Sequence, residues 1–147
     1  MSTLYTIGYE KSDIGSFLAT LKHASIDVLV DVRDLPLSRK KGFSKNALRA
    51  NLEEKGIRYL HIKALGDPKP GRTAARAGDY ETFEEIFRNH MESDEAQEAL
   101  EELSSTPTNL RICLLCFERH ADRCHRSIVA DDLANRMNLK VAHIEVE

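Results

Sequence analysis

Short apolar runs and helix-periodic stretches alternate five times along this chain, a pattern that points to helices packed on a parallel sheet. Residues 4–8, 26–33, 57–62, 110–116 and 141–146 read as strands. Between the first two, Ile14, Phe17, Leu18 and Leu21 fall at i, i+3, i+4 and i+7, one buried stripe of a helix that Ser12 can cap. Ser44 is placed to cap a second helix, with Phe43 and Leu48 as its hydrophobic staple and Gly56 beyond its end. Asp79 caps an acidic helix that turns Phe83 and Phe87 inward, a short helix carries Ala96, Ala99, Leu100 and Leu103, and Pro107 ends the crossover. A last helix runs over about 123–137 behind the cap Asp122. Residues 63–78, holding Pro68 and Pro70, read as a long loop, either a lid or disordered.

The expected fold is a single three-layer α/β domain over residues 1–147 with a mainly parallel five-stranded sheet. Of the two common strand orders, 3-2-1-4-5 is preferred to 2-1-3-4-5, because it makes neighbours of the three strands that end in chemically capable residues. Those ends are Tyr9 and Glu10 after the first strand; Asp31, Arg33, Asp34 and Ser38 after the second; and Cys116 and Glu118 after the fourth.

Net charge is only −3, so nothing in the total charge points to nucleic acid or an anionic membrane. The distribution is uneven. Arg33, Arg39, Lys40, Lys41, Lys45 and Arg49 face one acid, Asp34, whereas the ten acids between Asp79 and Glu102 face Arg88 alone. The acidic run reads as a solvated face; the basic run follows a strand end and suits an anionic partner. No apolar stretch is long enough to cross a bilayer, and the N-terminus enters a strand without a signal-peptide pattern, so a cytoplasmic protein with no membrane partner is expected. Three cysteines, an odd number, then argue for reduced thiols.

The densest chemistry lies in residues 116–126, which read Cys-Phe-Glu-Arg-His-Ala-Asp-Arg-Cys-His-Arg. Cys113 and Cys116 have Cys-x-x-Cys spacing, but residues three apart on a strand face opposite ways, so Cys113 reads as core. Cys124, His125 and Arg126 fall in the first turn of the last helix. Cationic side chains are misplaced at that positive end unless an anion compensates them, and a thiol there gains thiolate character. Glu118 is the natural general acid or base; its alternative is a salt bridge that holds the loop. Arg33 can clamp a phosphate or carboxylate, or simply pair with Asp31 or Glu118.

Familiar patterns fail on spacing. A thiol phosphatase needs an arginine six positions after Cys116, where this chain has Asp122. A zinc deaminase needs a later Cys-x-x-Cys, where it has Cys124-His125. Cys116, Cys124, His125 and His120 have no recognised zinc spacing, so no metal is expected. Gly8 stands alone, without a phosphate-binding glycine loop, and no cofactor is indicated.

Thr6-Ile7-Gly8-Tyr9, Val30-Asp31-Val32-Arg33-x-x-Pro36-x-Ser38, Gly56-Ile57-x-Tyr59, Leu65-Gly66, Tyr80 and Cys116-x-Glu118-x5-Cys124-His125-Arg126 resemble, in order and spacing, the domain-of-unknown-function family 488. The resemblance runs from about residue 6 to residue 144. The chain departs from it at His120-Ala121, where the family often has Asp-Pro, and at Asp67, where it has a second glycine; the latter points to a different lid. The resemblance implies a single α/β domain with its signature residues near one sheet edge, and brings no established reaction.

The function expected from these residues is a small enzyme, hydrolase-like or transferase-like, acting on an anionic substrate such as a nucleotide or nucleic-acid component. Tyr9, Asp31, Arg33, Ser38, Tyr80 and Arg126 would bind it, Glu118 would be general acid or base, His125 would relay or orient, and Cys116 and Cys124 would support the site or supply a nucleophile. The alternative is a non-catalytic regulatory module that binds a nucleotide, nucleic acid or acidic partner through the same arginines. A buried, shifted Glu118 beside an open pocket favours the enzyme. Oligomeric state is left open by the sequence.

Overall fold

The computed structural model describes residues 2–146. Its elements in chain order are β1 (Thr3–Gly8), α1 (Ile14–His23), β2 (Val28–Asp31), α2 (Lys45–Glu54), β3 (Arg58–His61), a 3-10 turn (Lys63–Leu65), α3 (Lys69–Arg76), α4 (Tyr80–Met91), α5 (Asp94–Ser104), β4 (Ile112–Cys116), a second 3-10 turn (Ala121–Arg123), α6 (His125–Met137) and β5 (Lys140–Ile144). All four strand pairings are parallel.

The strand order is β3-β2-β4-β1-β5, which corrects the expected 3-2-1-4-5 by exchanging β1 and β4. The physical reason is in the residues. β4 reads Ile-Cys-Leu-Leu-Cys and is buried at every position, so it belongs in the middle of the sheet, whereas β1 carries Tyr5 and Thr6. The edge strands β3 and β5 carry Arg58, His61, Lys140 and His143 and are exposed or only partly buried along their length. The exchange leaves β2, β4 and β1 adjacent, so their three following loops still meet: Gly8 pairs with Cys116, and Asp31 with Leu115.

Alternation along β4 divides the core. Ile112, Leu114 and Cys116 pack against Phe83, Phe87, Leu100, Val129 and Leu133 of α4, α5 and α6. Cys113 and Leu115 point the other way, to Phe17, Leu21, Leu48 and Leu52 of α1 and α2. Cys113 is therefore core, as its register with Cys116 requires.

Two expected features are revised. Residues 63–78 are no structureless loop: the 3-10 turn and α3 occupy most of them, with Pro70 in the first turn of α3, where its missing N–H costs nothing. The caps also move. Asp13, not Ser12, accepts from the Ser16 amide; Ser44 precedes α2 but its hydroxyl ties the Ser38 backbone instead; and Asp122 sits in a 3-10 turn, leaving Cys124 as the cap of α6. Asp79 caps α4 as its sequence position implies. No helix among the described residues is long and apolar enough to cross a membrane.

Candidate active site

The loops after β1, β2 and β4 and the start of α6 gather at the C-terminal edge of the sheet, where α/β proteins hold ligands. Their closeness depends on Gly8. A Cβ there would collide with the Glu118 carbonyl and lie 2.8 Å from Arg126 Nη1, so no other residue lets the β4 loop fold back over β1. Above this edge opens a cavity of about 680 Å³, within the size range of small-molecule sites. Of the residues expected at the site, Tyr9, Arg33, Ser38, Tyr80, Glu118 and His125 line it. Asp31, Cys116, Cys124 and Arg126 lie beneath, buried.

Arg33 grips both oxygens of Asp31, with Nε to Oδ1 at 2.9 Å and Nη2 to Oδ2 at 2.7 Å, and Nη1 donates to the Phe43 carbonyl at 2.8 Å. Tyr59 donates to Asp31 Oδ2 at 2.6 Å. Burial alone would pull the Arg33 guanidinium down, but the bidentate Asp31 contact outweighs it and holds the group above its ordinary value. Burial and the same carboxylate push the Tyr59 hydroxyl up. Asp31 is thus a closed partner inside the fold, with no oxygen left over for a substrate.

Arg126 is fully buried and its donors are spent on the β4 loop and β1. Nε reaches Thr6 Oγ1 at 3.0 Å, Nη1 reaches Cys116 Sγ at 3.0 Å and the Glu118 carbonyl, and Nη2 reaches the Arg119 carbonyl at 3.1 Å. These bonds hold the loop from beneath.

His125 Nε2 donates to the Val32 carbonyl at 2.6 Å, which leaves Nδ1 unprotonated and 3.7 Å from Cys124 Sγ. Burial drives its pKa down to about 4, so the ring is neutral at ordinary pH. Glu118 Oε2 accepts from Cys116 Sγ at 3.3 Å; burial raises this carboxyl, against the lowering influence of its own amide and Arg126. Glu118 thus combines a raised pKa with a place on the wall of an open cavity.

The expectation of three separate reduced thiols is not met. Only Cys113 stands free, while the sulfurs of Cys116 and Cys124 are drawn into bonding contact as a disulfide pair across a Cα–Cα distance of 7.5 Å. With Glu118 they form a donor cluster whose ligand atoms lie within 4.8 Å of one another, the set among the described residues that could hold a metal.

Asp67 is the functional candidate that sequence reasoning passed over. It lines the cavity at 5% exposure, and its Oδ1 is buried without a hydrogen-bond partner among the described residues. Burial lifts its pKa to about 7, aided by the nearby Glu118 and Asp34 and opposed by Arg72. Arg72 holds the segment in place, donating to the Asp67 carbonyl at 2.9 Å and to Asp34 Oδ2 at 2.6 Å. Gly71 makes room, since a Cβ there would strike Asp67 Oδ1. The departure from the family pattern at Asp67 was the available signal.

The rim completes the site. Arg76, His120 and Arg123 line the cavity and are solvent-exposed, and among the described residues neither Arg76 nor Arg123 is in an ion pair. The Arg123 guanidinium lies over the Tyr80 ring, 4.6 Å from its centroid. Phe117, 45% exposed, meets Tyr9 edge-on at 5.3 Å.

A family model described as "Domain of unknown function DUF488" matches residues 13–133, well over half of the chain. No curated protein and no solved structure matches it.

Proposed function

The chain belongs to the DUF488 family, and from its site we propose an enzyme that performs acid–base chemistry on a nucleotide or a nucleic-acid component. The observation that carries this reading is Asp67, a buried and unpartnered carboxyl facing an aromatic cavity with cations at its rim. A carboxyl with a pKa of about 7 is poised to give and take a proton at neutral pH, which an ordinary aspartate is not. The acid–base role expected of Glu118 passes in the first instance to Asp67, because Glu118 is engaged with Cys116.

The rest of the cavity suits the same substrate class. Phe117 and Tyr80 offer ring faces for a heterocycle, and Asp67 matches the donor and acceptor edge of a base. Arg76, Arg123 and His120 stand where a phosphate would meet water. Arg33 supports this wall from below rather than clamping the anion itself.

AMP, GMP, CMP and UMP are the first probes. At least one should raise the thermal unfolding temperature of the wild type, through a stabilisation of about 2.7 kcal/mol at a hundred times its dissociation constant. Arg123→Ala should lose most of that protection. Conversion of the bound nucleotide, followed by liquid chromatography and mass spectrometry, should stop in Asp67→Asn. Protection without conversion would favour the binding module, and no protection by any of the four would overturn the reading.

A further inference from the structure

Beneath the cavity floor lies a group of side chains that the nucleotide reading does not use. Cys116 Sγ, Cys124 Sγ and Glu118 Oε lie within 4.8 Å of one another, joined by the fold across β4, its loop and the first turn of α6. Both sulfurs accept hydrogen bonds: Cys116 from Arg126 Nη1 at 3.0 Å, and Cys124 from the Arg126 amide at the start of α6, at 3.5 Å. Donors of this kind favour thiolates.

Charge balance sharpens the point. Arg126 is fully buried and, unlike Arg33, has no carboxylate among its hydrogen-bond acceptors; apart from Cys116 Sγ these are a hydroxyl and two carbonyls. A buried guanidinium requires a nearby anion. Cys116 Sγ is the one acceptor of Arg126 that can become an anion, and a divalent cation held by Cys116, Cys124 and Glu118 would fix it in that form beside the guanidinium.

A disulfide fits less well. The two sulfurs are drawn into contact, yet the 7.5 Å between their Cα atoms exceeds the roughly 4.4–6.8 Å that a bridge usually spans. We propose that Cys116, Cys124 and Glu118, with His125 Nδ1 beside them, form a site for one thiophilic divalent cation of the zinc class. Thiolates select such ions over magnesium or calcium. His125 is prepared as the further donor: its Nε2–H is anchored on the Val32 carbonyl at 2.6 Å, so the Nδ1 lone pair is free, 3.7 Å from Cys124 Sγ. The spacing Cys-x-Glu-x5-Cys-His matches no recognised zinc pattern because the donors come together through the sheet edge rather than through one local turn.

This inference goes beyond the nucleotide reading and does not depend on it. The test is titration of the reduced, full-length protein with cobalt(II), followed by displacement with zinc. Wild type should bind about one ion per chain with the intense thiolate-to-cobalt absorption of a sulfur-ligated tetrahedral site. That absorption should vanish in Cys116→Ser and in Cys124→Ser, weaken in Glu118→Gln, and persist in Cys113→Ser, whose side chain faces the opposite helices. The wild-type stoichiometry, the wild-type spectrum and a zinc-dependent rise in its unfolding temperature need no variant to fold. Reduced wild type that takes up neither metal, or cobalt bound without sulfur absorption, overturns the site. AMP protection measured on the metal-free and the metal-loaded protein reads the nucleotide proposal separately.

Discussion

Arg33 and Arg126 are two buried guanidiniums under one cavity, and they are neutralised in opposite ways. Arg33 meets a carboxylate two residues away in a bidentate pair that Tyr59 completes, a local and closed unit at the end of β2. Arg126 meets a sulfur, two carbonyls and a threonine hydroxyl drawn from β1, β4 and the β4 loop, and nothing that is always charged. The first device is a strut. The second ties three parts of the chain to the chemical state of the Cys116 sulfur, and is therefore where stability and chemistry are coupled.

The largest effect should come from breaking the second device. Arg126→Met leaves the Glu118 and Arg119 carbonyls without their guanidinium donor and takes from Thr6 Oγ1 one of its two partners, His143 Nδ1 remaining; each buried orphan costs about 1–3 kcal/mol, so a loss of about 4–5 kcal/mol is expected in urea unfolding. Asp31→Asn attacks the first device and leaves Arg33 buried without its anion, at a cost of about 3–4 kcal/mol. The comparison breaks if Asp31→Asn is the more damaging, since Arg126 would then be no more than a loop anchor of secondary weight. Neither variant is expected to behave as a binding mutant. Anion protection of the kind that sequence alone assigned to Arg126 should instead follow Arg123 and Arg76.

The contrast between the two arginines was only half legible in the sequence. The alternation of strands and helices, the opposite faces of Cys113 and Cys116, and the meeting of the loops after β1, β2 and β4 all follow from local periodicity and from parallel strands ending at one edge. The central position of β4 is also written, in five consecutive apolar residues, but the requirement that the three loops meet is satisfied equally by β1 or β4 in the middle and does not choose between them. What sequence cannot express is which cation is spent inside. Arg33 and Arg126 look like ligands for a phosphate until their partners are seen, while Arg76 and Arg123 look like ordinary surface charges. The last helix shows the same difficulty. Asp122 is the better cap by propensity, yet the 3-10 turn Ala121–Arg123 consumes it and hands the cap to Cys124.

Asp67 adds a third buried ion to the comparison, one with no partner for Oδ1. An unfolded aspartate titrates near 3.8 and this one near 7. Between those values the native state holds a proton that the unfolded chain has lost, so stability falls as pH rises through that window, and none of the protonated form's advantage remains above about 7. Burial sets the shift; of the facing charges, Arg72 opposes it and Glu118 and Asp34 add to it. Asp67→Asn cannot titrate, and should be more stable than wild type at pH 8, by about 1–2 kcal/mol, and nearly equal to it at pH 4. Paired unfolding curves at the two pH values check this; a wild type whose stability is flat from pH 4 to pH 8 would sink the argument and the acid–base role together.

The smallest expected effect separates the two arginines most finely. Tyr59→Phe removes one of the donors to Asp31 Oδ2 but leaves the bidentate Arg33 pair intact, so the carboxylate keeps a partner on each oxygen and the loss should be about 1 kcal/mol. Thr6→Val is the matching change beside Arg126. It keeps the shape of the side chain but withdraws the acceptor from Nε, which has no other partner in the buried network, and with it the hydroxyl that pairs with His143 Nδ1 at 2.6 Å. A charged donor stranded in the core costs more than a neutral hydroxyl subtracted from a pair that survives it, so Thr6→Val should lose about 2 kcal/mol. Measured side by side in denaturant, the order of the two values reports whether the closed carboxylate pair or the open sulfur-and-carbonyl cage has capacity to spare. Equal losses would mean that Thr6 is replaced by water or by a shifted carbonyl, and that the Arg126 cage is looser than its hydrogen bonds imply.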